Sequence, residues 1–188
     1  FGNEGKMYPH IILAPLSVIS ISIGQGEVNL TPLQIANLGA TIANRGYYIT
    51  PHIVRHIEGK KLDKKYLEHH RTKGSVRSYQ EVIAGMMSSV RGGTCAHAVH
   101  PGYSLAGKTG TAQNRGHDHS VFMGFAPMNN PKIAVSVYVE NGGFGNVYGV
   151  PIGALIIEQY LRGQLSPASM RKAAVMQNRH IKYGDFER

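Results

Sequence analysis

Ala106-Gly107-Lys108-Thr109-Gly110-Thr111-Ala112, Ser120-Val121-Phe122-Met123-Gly124-Phe125-Ala126 and Ile133-Ala134-Val135-Ser136-Val137-Tyr138-Val139 follow one another with only short connections. Each stretch is short, carries β-branched or aromatic residues and is bounded by turn formers, which is how a strand reads. The spacing predicts strands over 103–112, 120–126 and 132–141. Pro127 to Pro131 is a turn. Sequential strands joined so briefly pair antiparallel. In the third, Ile133, Val135, Val137 and Val139 share one face. Ala134, Ser136 and Tyr138 on the other are not strongly polar, so both faces are expected to be covered.

Upstream, Thr31-Pro32-Leu33-Gln34 starts a helix: Thr31 caps, Pro32 suits the first helical position and Gln34 closes a capping box. Ile35, Leu38 and Ile42 fall on one face, with Ala36, Ala40 and Ala43 beside it. Asn44-Arg45-Gly46 ends the helix, with Gly46 as the left-handed cap. Before it, residues 1–22 read as irregular, leading into a short apolar strand, Ser17 to Ile23, that Gly24-Gln25-Gly26 breaks. Tyr47 to Val54 reads as extended, and the polar stretch Glu58 to Lys73 as an exposed excursion. Ser78-Tyr79-Gln80-Glu81 is a second capping box, opening a helix that Gly92-Gly93 stops; Met86 and Met87 within it are core residues. After a glycine-rich loop, Pro151 opens a last helix. Helices, a three-strand meander and a helix make the fold class α+β, an antiparallel sheet flanked by helices.

The chain has 188 residues, 42% hydrophobic and 16% charged, a globular and not a disordered composition. No apolar run approaches the roughly 18 residues of a membrane span. The opening Phe1-Gly2-Asn3 has neither an initiator Met nor a signal segment, which reads as a piece of something longer. The net charge of +9 leaves open an anionic partner. Its carriers, Lys60, Lys61, Lys64, Lys65, Arg71 and Lys73, and the tail with Arg171, Lys172, Arg179, Lys182 and Arg188, are not interleaved with aromatics as a base-stacking surface would be. Cys95, the only cysteine, permits no internal disulfide.

The chemistry concentrates at Lys108, Thr109, Gly110 and Thr111. A lysine and two hydroxyls on one strand offer charge and donors to a carboxylate, and Gly110 admits a ligand close to the backbone. An ordinary strand ending in a turn would read the same from the triplet alone. Cys95, His97, His100, His117 and His119 include zinc-type ligands, but Cys-x-His-x-x-His is not a standard zinc spacing, so no metal and no cofactor is expected. Asp118 and His119 shape the turn before the second strand. Ser169-Met170-Arg171-Lys172 is the only Ser-x-x-Lys, and no Ser-x-Asn occurs.

Ser-x-x-Lys, Ser-Asp-Asn and Lys-Thr-Gly form the motif set of penicillin-binding proteins and class A β-lactamases. Three stretches resemble the elongation-type class B penicillin-binding proteins, the penicillin-binding protein 2 group. They are Ile23-Gly24-Gln25-Gly26 with Thr31-Pro32-Leu33-Gln34; Ala106 to Gln113; and Phe125 to Pro131 with Val139-Glu140-Asn141-Gly142-Gly143. The resemblance implies the serine-transpeptidase, β-lactamase-like fold, here a partial domain: residues 1–165 as the C-terminal half of the transpeptidase domain and 166–188 as a basic tail. It implies a peptidoglycan D,D-transpeptidase working through a serine acyl-enzyme and acylated by β-lactams. Lys108, Thr109, Gly110 and Thr111 would bind substrate, and the backbone N–H of Thr111 would be an oxyanion donor. The implied partners are peptidoglycan stem peptides, β-lactam antibiotics and the membrane-embedded elongation machinery, with no nucleic acid. The implied location is the periplasmic side of the bacterial inner membrane. Ser169 follows Lys-Thr-Gly where the family places its nucleophile before it, so Ser169 is expected to be a decoy and this chain alone inactive. The alternatives are a β-lactamase on the same fold, and a basic non-enzymatic module for an anionic polymer, which a Lys108 lining a groove would disfavour.

Overall fold

Thr31 caps its helix as its surroundings require. Its side chain accepts from the Gln34 backbone N–H, and the Gln34 side chain accepts in return from the Thr31 N–H at 2.8 Å. Helix α2 (Pro32–Ala43) follows in a computed structural model that describes residues 15–26 and 28–181. The chain divides into two compact units at Leu30–Thr31. Among the described residues no helix is long and apolar enough to cross a membrane.

In the first unit, residues 1–14 lie outside the described residues. The strand expected over Ser17–Ile23 is instead helix α1 (Pro15–Ser22). A short unbroken apolar run has no period that separates helix from strand. Pro15 suits a first helical turn, and the Ser22 hydroxyl bonds back to Val18 O at 2.6 Å. Gly24 and Gly26, both at positive φ, then turn the chain.

In the second unit, β3 (Ala106–Ala112), β4 (His119–Ala126) and β5 (Ile133–Val139) form one antiparallel sheet in that order. Thr109 faces Phe122, which faces Val137; Lys108 faces Met123, which faces Ser136. The pleat sorts the two faces. Ala106 and Phe125 pack with Ile42 and Ala43 of α2 and with Ile83 and Met86 of α3 (Val76–Gly92). Phe122, Val135 and Val137 pack on the other side with Val150 and Ile157 of α4 (Gly149–Arg162). The Ala134–Ser136 part of the other face is covered too, by α2, whereas Tyr138 at its end stays 39% exposed.

Phe122 is fully buried because glycines make room for it. A Cβ on Gly107, Gly124 or Gly153 would stand 2.7, 2.5 or 2.3 Å from its ring. Helix α4 and strand β3 thus approach β4 more closely than alanines would allow.

Helix ends depart from expectation at four places. The left-handed residue after α2 is Arg45 (φ 55°), with Gly46 (φ 108°) behind it. Gly46 N–H bonds Thr41 O and Arg45 N–H bonds Ile42 O, a Schellman closure. The Arg45 guanidinium donates to the carbonyls of Ala43 and Met128, which ties the residue down. Helix α3 begins three residues before the expected Ser78, capped by Ser75, whose hydroxyl accepts the Ser78 N–H at 3.1 Å. Helix α4 begins at Gly149, two residues before Pro151, because Ser120 Oγ and Gly145 O accept its first amides. Within the stretch read as a basic tail lies α5 (Pro167–Gln177), capped by Ser166 with Pro167 in its first turn, and packed against α4.

Of the extended stretch 47–54 only β1 (Tyr47–Tyr48) is strand, paired antiparallel with β2 (His70–Arg71). The excursion between them is mostly exposed.

Candidate active site

Strand β3 is an edge strand, so alternate backbone N–H and C=O groups of Lys108-Thr109-Gly110-Thr111 face away from the sheet. Lys108 is exposed, and its Nζ donates to Thr109 O at 2.7 Å. The side chain lines a groove of about 680 Å³ together with Met123, Ile42 of α2, and Val82, Met86 and Ser89 of α3. An ammonium thus stands at the mouth of a largely apolar recess.

The pairing runs through Gly110↔Val121, Thr111↔Ser120 and Ala112↔His119 without a break. Lys108 therefore faces the α2–α3 side, while Thr109 and Thr111 face the α4 side. The expectation that Lys108, Thr109 and Thr111 share one face, because the regular strand ends near Gly110, is not met: the strand runs on to Ala112. Gly110 serves the pleat instead: a Cβ there would meet Val121 Cβ at 3.2 Å. The glycine loop after β5 closes over the same place, for a Cβ on Gly145 would lie 2.8 Å from Gly110 O.

Sequence reading missed Thr94. Its Oγ1 is 2.8 Å from Thr109 Oγ1 and 3.3 Å from Ser89 Oγ. This hydroxyl chain joins the end of α3 to the Lys-Thr-Gly strand. The signal was present in Gly92-Gly93-Thr94, which reads only as a helix stop unless the strand beside it is known.

Ser169 is not brought to Lys108. It lies in α5, buried, its Oγ accepting from Ser166 Oγ at 3.1 Å. Glu158, only 2% exposed, holds this corner together. It accepts from Ser166 N at 2.8 Å and stands 3.4 Å from His100 Nε2. His100 Nδ1 accepts from Gly102 N–H, which leaves Nε2 to carry the proton towards Glu158. Burial pushes the Glu158 carboxyl up, but the hydroxyl of Ser169, the N–H and hydroxyl of Ser166 and nearby His100 outweigh it, lowering it to about 2. Tyr103 stacks on His100 at 4.3 Å; its burial, and then the Glu158 charge, push its hydroxyl up to about 12.

The zinc-type residues are dispersed. Cys95 is fully buried, and that burial raises its thiol. His97 is exposed, and His119 Nδ1 accepts from Asn141 N–H while its ring tilts against Tyr138. Among the described residues no group of three or more His, Cys, Asp or Glu gathers to hold a metal. Asp118 O accepts from Gly143 N–H at 2.8 Å, so Asp118 and His119 join the turn before β4 to the loop after β5.

An antiparallel sheet between helix layers, with an exposed lysine on a Lys-Thr-Gly edge strand above a groove, defines the serine-transpeptidase class of α+β folds. Residues 8–160 match the penicillin binding protein transpeptidase domain, and the chain belongs to that family. It is 30% identical over 185 residues to the peptidoglycan D,D-transpeptidase MrdA of Haemophilus influenzae, covering 87% of this chain and 28% of that protein. Penicillin-binding protein 2 of Pseudomonas aeruginosa, solved in complex with WCK 5153, superimposes with a TM-score of 0.67 at 36% identity, over 79% of this chain and 34% of that one. The ceftriaxone acyl-enzyme complex of penicillin-binding protein A from M. tuberculosis does so with a TM-score of 0.70 at 30% identity, over 81% of this chain and 37% of that one. The chain spans about a quarter to a third of the length of the curated relatives it matches.

Proposed function

We propose that this chain is the substrate-binding half of a peptidoglycan D,D-transpeptidase of the bacterial cell envelope, acting on the periplasmic side of the inner membrane. In this reading residues 1–165 belong to the transpeptidase domain and 166–188 are an appendage to it. One observation carries the proposal: Lys108, in a chain of the transpeptidase family, presents an exposed ammonium from an edge strand beside a groove.

Lys108 meets the terminal carboxylate of the stem peptide, the only charge that this end of the substrate offers. In the free chain its Nζ rests on Thr109 O, a contact that a carboxylate replaces at little cost. Because the pleat turns the hydroxyls of Thr109 and Thr111 to the α4 side, they reach the ligand around the strand edge. Thr111 N–H supplies one oxyanion donor, and the N–H of the nucleophilic serine the other. That serine comes from residues other than these, attacks the penultimate D-Ala carbonyl, expels the terminal D-Ala and passes the acyl group to the amine of a neighbouring strand. A β-lactam acylates the same serine; penicillin-binding protein A of M. tuberculosis forms an acyl-enzyme with ceftriaxone. Stem peptides, β-lactams and the membrane-embedded elongation machinery are the partners; nucleic acid is not.

Acylation kinetics of the complete enzyme test the reading. A charge-assisted contact in a partly desolvated groove contributes about 1.5–3 kcal/mol, so Lys108→Ala should lower the second-order acylation rate roughly 10- to 150-fold. Lys108→Arg should recover part of the loss. An unchanged rate in Lys108→Ala, at an unchanged melting temperature, removes the role given to this strand.

A further inference from the structure

A second groove, of about 610 Å³, lies between α5 and the start of α4. Helices α4 and α5 stand on the opposite side of the sheet from the Lys108 groove, which α2 and α3 line. The second groove has an apolar floor and a cationic rim. Val147 and Pro151 line the floor from one side, and Ala168, Val175 and Met176 of α5 from the other. Arg171, Lys172 and Arg179 stand around it, and no aspartate or glutamate lines it.

The rim is only partly occupied by the chain itself. Arg179 is fixed, donating to Val147 O at 2.8 Å with its guanidinium 5.4 Å above the Tyr148 ring. Arg171 and Lys172 are exposed, and among the described residues neither forms an ion pair. Three cations over one recess repel each other until an anion arrives. Val175 on the floor is 57% exposed, apolar surface left in water. An occupant must therefore bring carboxylates and apolar side chains together.

We propose that this groove docks an acidic peptide segment of a partner protein, one that places apolar side chains on the Val147–Val175–Met176 floor and carboxylates on Arg171 and Lys172. The other anionic classes match less well. A single-stranded nucleic acid stacks its bases on open aromatic faces, and Tyr148 is already covered by Arg179. A lipid surface is recognised by apolar residues that protrude, whereas these form the floor of a recess. A side-chain-bearing acidic segment in a groove between a helix and a neighbouring wall is a known recognition mode, and methionine adapts to its contours.

The test is fluorescence anisotropy with a fluorescein-labelled peptide that repeats Glu-Leu-Leu-Glu. Two control peptides carry Gln for Glu, or Ser for Leu. The Glu/Leu peptide should bind, and both controls should bind more weakly. Arg171→Glu with Lys172→Glu should weaken binding about tenfold or more. Arg171→Ala with Lys172→Ala should weaken it less, and Met176→Ser should weaken it at unchanged melting temperature. Lys60→Glu with Lys61→Glu, on the distant excursion, should leave it unchanged. The proposal is overturned if reversing Arg171 and Lys172 has no effect, or if reversing Lys60 and Lys61 matters equally. Equal binding of the Ser-for-Leu peptide would reduce the interaction to net charge and also overturn it. So would competition by phosphatidylglycerol vesicles that persists in the Arg171→Glu/Lys172→Glu variant.

Discussion

The hydroxyls of Thr94 and Thr109 lie 2.8 Å apart, bonding the loop after α3 to the edge strand that carries Lys108. Thr94 bonds the strand residue Thr109 directly. Its effect on acylation must pass through Thr109, which makes it a positioning residue. A hydroxyl–hydroxyl bond contributes about 1 kcal/mol net, so Thr94→Val should slow β-lactam acylation of the complete enzyme roughly fivefold. Thr94→Ser keeps the hydroxyl and should restore the rate. Packing loss alone would make the serine variant, which is smaller than valine, the worse of the two.

Gly153 should tolerate no side chain. A Cβ there would stand 2.3 Å from Cδ1 of Phe122, a ring with no exposed surface to move into. Overpacking of this kind costs about 1–3 kcal/mol, so Gly153→Ala should lower the melting temperature by several degrees. Phe122→Leu in the same chain should recover part of that loss, a coupling that two unrelated defects would not show.

Glu158 makes stability depend on pH at the acid end. Its carboxyl is held near 2 against an ordinary 4.5, so the folded state favours the charged form. The stabilisation is fully present above about 4.5 and is lost as pH falls towards 2. Its full size is of the order of 3 kcal/mol. Denaturant unfolding at a series of pH values should show this slope, and Glu158→Gln should flatten it. Tyr103 works in the opposite sense. Its hydroxyl, raised from 10 to about 12, stabilises the fold below 10 and ceases to do so as pH rises through 12. Because Glu158 contributes to that shift, Glu158→Gln should bring the Tyr103 titration closer to 10. An unchanged Tyr103 titration would separate the two groups.

The parts legible in the sequence are those written by local chemistry. The Thr31–Gln34 capping box and the alternation in β5 depend on residues within a few positions of each other, and both are found where their spacing places them. Competing local signals misled. Ser75 and Ser78 each offer a cap for the same helix; Ser75 takes the role, with Tyr79 lying against Gly46 and Gly74. The basic residues after Ser166 read as a tail, yet Ser166-Pro167 is itself a helix start. The charge and hydroxyls of Lys108-Thr109-Gly110-Thr111 could be read directly, but their facing could not, since it rests on a register with β4. Thr94 and Glu158 were invisible for the same reason. Their partners, Thr109 and His100, become neighbours only through tertiary folding.

Ser169 offers the last prediction, because its motif promises chemistry that its surroundings refuse. Ser169-x-x-Lys172 sits on α5 with the serine–lysine spacing of one helical turn. The serine is 8% exposed, and its Oγ already accepts from Ser166. Its hydroxyl also helps to hold the Glu158 carboxylate charged down to about 2. Lys172 is exposed on the rim of the second groove. A nucleophile needs a free approach to a carbonyl and an oxyanion donor opposite, and a hydroxyl buried against α4 has neither. This chain alone, incubated with a fluorescent penicillin and run on a denaturing gel, should show no stable labelled band. Ser169→Ala should instead cost about 1 kcal/mol of stability through the lost bond to Glu158. A labelled band that Ser169→Ala abolishes would show that the serine is reactive after all, and would place the acylating chemistry on α5 and not beside Lys108.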